Sequence, residues 1–435
     1  MIGTSNEFEV LGSKKKGIPV CRFFERWIMS YLFLYIIPFP IGTVPWTGAI
    51  SEVFENSKQA IVSWIAGKLF STTLTTMPNG SGDTTYNYFE VAFMLSLAFI
   101  TSVVASFLPE KLLVSLRGNS VLRIGLRYYL ATAMLGYGWH KLFPIQFPAF
   151  GPDTALSTYG DSSPMGLLWR FMGASTAYQM FAGLAEVLAG LLLLFRRTAL
   201  LGALLCGGVL ANVVLLNFCF DVPVKIYSSH LLLMAVCIIY PDTGRLVSFF
   251  LLSREEDSLH ERSQRRRSIG QQLFVTLLKM AMCAVIALLP AVQNWQYMVS
   301  DGIWKSTSAR HGIYRVDTFE RAGVLGKDNE DSLRWVRVGL NDNGILAIQY
   351  ANGRSERYRL EIDEKQMTYK LMQRAKTDEQ LLSFEEMPLE AGGYVVELLG
   401  VFDSAQHRIR MVRTNETSFF EERGFHWINE YPLNR

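Results

Sequence analysis

Charge, paired cysteines and nucleotide-binding loops are what this chain has least of. Only 19% of its 435 residues are charged, against 50% hydrophobic, which excludes an ordinary soluble protein over much of its length. A formal net charge of +3, with no basic-aromatic stripe, excludes a nucleic-acid partner. The five cysteines, Cys21, Cys206, Cys219, Cys237 and Cys283, form no CxxC pair and no zinc spacing. None lies beyond position 300, so neither a disulfide framework nor a thiol relay is expected there. Walker loops, dinucleotide-binding glycine fingerprints and GxSxG elbows are also missing. A Ser-His-Asp set drawn from Ser162, His230 and Asp161 fails, because adjacent Asp and Ser side chains are ill placed for relay roles. No cleavable signal peptide is expected: the first apolar run begins only near Phe23, after Lys14, Lys15 and Lys16.

What the first two thirds do contain is long uncharged runs. A helix needs roughly 20 residues to cross the hydrocarbon core. Seven segments qualify: 27–44, 91–108, 124–143, 175–195, 198–218, 229–249 and 271–292. The basic clusters fall at alternate connections: Lys14–Lys16 with Arg22 and Arg26, then Lys111 to Arg127, then Arg196 and Arg197, then Arg245 to Arg267. By the positive-inside rule, these predict a multi-pass protein of the cytoplasmic (inner) membrane, with a cytoplasmic N-terminus and an extracytoplasmic C-terminal domain. Segment 51–70 is either an amphipathic helix on the outer interface or a packed loop helix. Ser162-Ser163-Pro164 starts another short helix, through Gly173.

From Gly302 onward the hydrophobic period changes to two. "RYRLEID" at 357–363 alternates as a strand with one buried face does, and "NDNG" and "ANGR" supply hairpin turns. Strands are predicted at 335–340, 345–349, 357–363, 367–373, 394–401 and 408–413, giving an all-β antiparallel barrel or sandwich of lipocalin-like size. Such a barrel either encloses a ligand cavity or is filled and serves as a contact surface. The predicted organisation is therefore a cytoplasmic tail (1–22), two spans with the outer amphipathic segment (23–118), a four-helix core (119–252), a basic cytoplasmic loop (253–269), a seventh span (270–295) and a β domain (300–435).

Polar residues inside the spans are costly unless they face a partner or water, at about 2.5–3.5 kcal/mol for an ionised group. Helical rise places Glu186 about 15 Å, His140 about 20 Å and both Asn212 and His230 about 22 Å from the arginines at the cytoplasmic ends. Four helices thus bring polar groups to nearly one level, with Lys141, Asn217, Asp221 and Lys225 above them. A Glu186–Lys279 ion pair is conceivable, unless the seventh span begins later and Lys279 snorkels to the surface. The bland readings are equally definite: Asn212 as interhelical glue, His140 and His230 as interfacial residues, Asp221 and Lys225 as a solvated pair. Two histidines, a carboxylate and a lysine can move protons and hold a small anion or a quinone carbonyl. His140, His230 and a carboxylate lack the local ligand spacing of a metal site, so no metal is assigned.

These residues carry a family likeness. The first core helix ends in "GYGWHKL", with Lys141; the second holds "GLAEVLAGLLLL", with Glu186; the last connection reads "NFCFDVPVKIYSSHLLL". Over 122–250 the chain resembles the DoxX-like (DoxD/DoxX) family of small four-helix membrane proteins. The resemblance implies membrane redox chemistry, since the family includes a thiosulfate:quinone oxidoreductase subunit. Two helices before the core, one after it and the β domain depart from that pattern. Two functions follow. One is a membrane oxidoreductase subunit or redox-associated protein, with Glu186, His140 and His230 as catalytic groups and Lys141, Asn212, Asn217, Asp221 and Lys225 binding a quinone or small anion. The other is a non-enzymatic, membrane-anchored assembly protein whose β domain binds an envelope protein or lipid. A transporter is the weaker third, for want of an internal repeat.

Overall fold

The computed structural model describes residues 19–41, 47–74, 80–107, 119–160, 162–252, 269–300, 310–325, 331–342, 344–363, 365–372, 379–388 and 394–414, with only the backbone at 19–22, 119–120, 269, 379–380, 386–388 and 394. Lys14–Lys16, Lys111, Arg117, Asp161 and most of the 253–269 loop, on which the charge argument draws, lie outside them. The chain forms two compact units: 1–142 with 181–295, and 143–180 with 296–435.

The first unit is helical. In chain order its helices are α1 (Pro19–Ile36), α2 (Gly48–Phe70), α3 (Thr85–Ser106) and α4 (Asn119–Leu142). The segment between the units' first boundary contributes α5 (Pro152–Ala155) and α6 (Pro164–Gly173) to the second unit. Then come α7 (Thr176–Leu194), α8 (Ala199–Cys219), α9 (Lys225–Ile239), α10 (Thr243–Phe250) and α11 (Ile269–Ser300). Among the described residues, five helical stretches are long and apolar enough to cross a membrane: Thr85–Ser106, Thr176–Leu194, Ala199–Cys219, Lys225–Phe250 and Gly270–Ser300. This part of the chain is a membrane protein. Local chemistry explains several helix starts. Thr84 and Asn87 form a reciprocal capping box on α3, with Asn87 N–H donating to Thr84 Oγ1 and Thr84 N–H donating to Asn87 Oδ1. Ser163 caps α6, with Pro164 in its first turn, as its sequence predicts.

α1 packs against α3, where the Trp27 indole N–H donates to the Leu95 carbonyl at 3.0 Å. α4 and α7 cross closely because glycines face each other. A Cβ on Gly183 would fall 2.5 Å from Leu142 N and 2.7 Å from the Gly138 carbonyl oxygen; one on Gly138 would fall 2.8 Å from Val187 N. Leu126, Leu130, Leu135, Leu193, Cys206 and Met234 lie fully buried between these helices.

The second unit is a closed, antiparallel, eight-stranded β-barrel. Its strands are β1 (Gly312–Arg321), β3 (Trp335–Leu340), β4 (Ile345–Tyr350), β5 (Ser355–Asp363), β6 (Thr368–Met372), β7 (Glu379–Pro388), β8 (Tyr394–Phe402) and β9 (Ala405–Arg413), and β9 returns to pair with β1. The two-residue β2 (Val324–Leu325) adds a short hairpin to β1. In β5, Tyr358 and Leu360 point inward while Arg357, Arg359 and Glu361 point out, the alternation that RYRLEID encodes. Gly353 takes a φ of +82° in the ANGR turn, a value readily open to glycine. An eight-stranded barrel is just wide enough for side chains to fill, and here Tyr314, Phe319, Trp335, Leu346, Ile348 and Tyr369 do so. Among the described residues these side chains pack the barrel interior as in the filled form of barrel.

Segment 143–180 belongs with the barrel, not with the helical core that its sequence position suggests. Asp153, buried in α5, takes Arg357 Nε at 3.3 Å and accepts a hydrogen bond from Asn341. Ser355 Oγ donates to the Leu156 carbonyl at 2.6 Å, and Arg357 also reaches Ser157. Gly339 makes the fit possible, since a Cβ there would meet the Pro152 carbonyl oxygen at 2.7 Å.

Candidate functional site

The strongest polar feature of the helical unit is an ion pair at the α4–α7 crossing. Lys141 Nζ lies 2.7 Å from both carboxylate oxygens of Glu186, and both residues are buried, at 7% and 4% exposure. Close approach at Gly138 and Gly183 brings the two side chains together. Lys141 was placed by its sequence in a lid and Lys279 offered as the partner. The structure instead exposes Lys279 and gives Glu186 to Lys141. The reason is reach: a lysine one turn beyond Gly138 extends back along its own helix to a carboxylate at the crossing.

From this pair a run of aromatic groups extends across α4, α9 and α1. Lys141 Nζ is 5.8 Å from the Tyr137 ring centroid, and Tyr137 lies 6.1 Å from the Tyr227 ring. The Tyr227 side chain of α9 also neighbours that of Tyr129 on α4. Farther along, His230 stacks on Tyr35 with centroids 4.2 Å apart and planes within 4°. His230 Nδ1 faces the Ile226 carbonyl at 2.6 Å, so that nitrogen carries the proton and Nε2 accepts from the Tyr31 hydroxyl. Tyr35, Tyr129, Tyr227 and His230 are half-buried, so the cluster is not sealed. Chemically it offers phenol donors, flat rings for stacking and a neutral imidazole beside a paired charge.

The remaining predicted residues fall elsewhere. His140 is exposed, with Nδ1 turned back to the Gly136 carbonyl at 2.7 Å, because adjacent helical positions diverge by about 100° and Lys141 takes the inward one. Asn217, expected in the lid, takes the glue role expected of Asn212, and Asn212 takes neither part. Asn217 is the buried glue, its Nδ2 donating to Ser228 Oγ at 3.0 Å, whereas Asn212 is exposed. Asp221 has an 82% exposed side chain and pairs with Lys225 at 2.8 Å, which is the solvated-pair reading.

Lys225 is also tied to a residue that sequence reasoning passed over. α9 has no side-chain cap of its own, and Asp83 supplies one from before α3. Its carboxylate accepts from Lys225 N–H at 2.8 Å and Ile226 N–H at 2.9 Å, and lies 3.7 Å from Lys225 Nζ. An acidic side chain there also suits the positive end of the helix dipole. Lys58 of α2 is a second missed anchor, pairing with Glu90 of α3 at 2.6 Å and Glu55 at 2.7 Å. Burial opposes the Lys58 ammonium, but the two carboxylates outweigh it and hold its pKa above the ordinary lysine value. The tyrosines were missed because Tyr in a span suits an interfacial belt; only their recurrence at 31, 35, 129, 137 and 227 gave a signal. Among the described residues no cluster of three or more histidine, cysteine or carboxylate groups is placed to hold a metal ion.

No family model and no solved structure matches the chain. An uncharacterized protein of Bacillus subtilis (strain 168), YwoB, is 33% identical over 124 residues, which is 28% of this chain and 79% of the relative. That extent and identity establish kinship over the matched region, and the chain belongs to the family of YwoB.

Proposed function

We propose that the helical unit crosses the inner membrane seven times, N-terminus inside and barrel outside, and binds a quinone-like ligand in the tyrosine–histidine cluster as part of membrane redox chemistry. The observation that carries this reading is the continuity of the cluster with the buried Lys141–Glu186 pair. Half-buried phenols of Tyr129 and Tyr227, with the exposed phenol of Tyr137 beside them, can donate to a ligand carbonyl, and the Tyr35 ring supplies a stacking face. A small anion recognised by Lys141 fits less well, because both Glu186 oxygens already occupy that ammonium. The seven-span topology is supported by the basic clusters at alternate connections and by the packing of α1 against α3 and α4. The DoxX-like resemblance over 122–250 supports the redox assignment.

The experiment is mass spectrometry of molecules retained after mild detergent purification of wild type, Tyr227→Phe and Tyr35→Leu. A quinone held by wild type and depleted in both variants at unchanged protein abundance is expected. Equal retention in all three, or none in wild type, would sink the proposal. A second reading, a membrane-anchored assembly protein, is favoured by one observation: the barrel interior is packed with side chains, which leaves its outer surface for a partner. On that reading, outward-facing barrel variants such as Arg337→Glu abolish function while the tyrosine variants do not.

A further inference from the structure

Asn212 sits where a carboxamide should not be left alone. It lies on α8, one of the membrane-length apolar helices, seven residues before the terminal Cys219 and so about 10 Å inside that end. Its side chain is exposed and makes no hydrogen bond among the described residues. The buried face of the helix, Ala203, Cys206 and Leu210, is on the opposite side. Lipid tails offer no hydrogen-bond partner, and one methylene is too short for the amide to snorkel to the headgroups. One turn earlier Gly208 is also exposed, and a Cβ there would meet nothing within 4 Å. The helix surface beside the stranded amide is therefore bare backbone, open to close approach. Leu201, Gly208, Asn212, Leu215 and Cys219 fall along one exposed stripe at intervals of three, four and seven residues.

We infer that this stripe is a homodimer interface in which Asn212 of one copy hydrogen-bonds Asn212 of a second copy. The occupant follows from chemistry and topology. A carboxamide carries both donor and acceptor, so it satisfies itself across a two-fold axis. Every copy inserts in the same sense, so the axis runs along the membrane normal and brings equal depths together. Gly208 permits the approach that such a pair needs.

The test uses full-length protein in liposomes at high lipid-to-protein ratio, with monomer–dimer exchange read by Förster transfer. Asn212→Leu should weaken dimerisation roughly 3- to 30-fold, from the 0.6–2 kcal/mol that an intramembrane polar pair contributes. Asn212→Gln should restore it. Gly208→Leu should weaken dimerisation too, yet leave the monomer's stability unchanged, because the new side chain meets nothing in its own chain. With Cys21, Cys206, Cys237 and Cys283 replaced by alanine, a short bismaleimide should join copies through Cys219. The control Cys219→Ser with Leu188→Cys, on an exposed face of α7, should not cross-link. A monomer at all dilutions, dimers indifferent to Asn212→Leu and Gly208→Leu, or equal cross-linking through Leu188→Cys would each overturn the inference.

Discussion

Removing one member of the Lys141–Glu186 pair should harm the protein far more than removing both. Lys141 Nζ donates to each carboxylate oxygen at 2.7 Å, and both side chains are buried. Hydrogen bonds to charged groups contribute about 1.5–3 kcal/mol each, and a buried charge left without its partner costs about 3–5 kcal/mol. Lys141→Met and Glu186→Leu should therefore each destabilise by roughly 3–5 kcal/mol. The double variant replaces two desolvated charges with apolar groups of similar reach, and should fall between neutral and about 1–4 kcal/mol more stable than wild type. Summed singles of about 6–10 kcal/mol against a double near zero is a coupling few other pairs here can match. Helix loss followed by circular dichroism in mixed micelles of rising denaturing detergent measures all four proteins. Singles within about 0.5 kcal/mol of wild type would refute the buried pair, and so would a double that loses the sum of the singles. The double variant also separates stability from chemistry: a folded protein that no longer retains ligand assigns the pair to the site, and one that retains it assigns the pair to the scaffold.

Other consequences are independent of that pair. Asp153→Ala removes the partners of Arg357 and Asn341 at once, and should destabilise the barrel unit by about 2–3 kcal/mol, with hydrogen exchange rising across 152–157 first. Gly183→Ala sets a methyl 2.5 Å from Leu142 N and 2.7 Å from the Gly138 carbonyl, so it should cost at least about 1–3 kcal/mol and lower abundance; Gly208→Ala should do neither. His407 is buried against Phe319 and Phe402, and desolvation pushes its pKa below the ordinary histidine value despite the Ala405 carbonyl accepting from Nδ1. The unfolded chain then takes up a proton before the folded one does. Barrel stability should be flat at neutral pH and fall as pH drops below about 6.5, and His407→Phe should flatten that slope in a thermal melt series.

What the sequence made legible follows the physics of each signal. Period-two alternation needs no tertiary knowledge, so β3 and β5 were placed within two residues and β8 within one. β1 escaped because its pairing with β9 shifts between Val316 and Thr318: a bulge breaks the period that betrays a strand. β7 escaped because Leu381 and Leu382 sit side by side, one exposed and one buried. For the helical unit, hydropathy and rise fix depth along an axis, and depth was enough to single out Glu186, His140, Asn212 and His230. Depth says nothing of azimuth. Rotation about the helix decides whether a side chain meets a neighbour, and it separates buried Lys141 from exposed His140 and glue Asn217 from outward Asn212. The glycines carried that lost information. Gly138 and Gly183 mark the faces of α4 and α7 that touch, and from Gly138 the inward course of Lys141, one turn on, follows. Asp83 and Asp153 were beyond any local rule, since each acts on an element far away in sequence, with partners at 225–226 and at 341 and 357. A buried carboxylate must find its hydrogen-bond donors somewhere. The question worth putting to such a sequence is therefore which unpaired helix start or outlying arginine an acidic residue has been kept to satisfy.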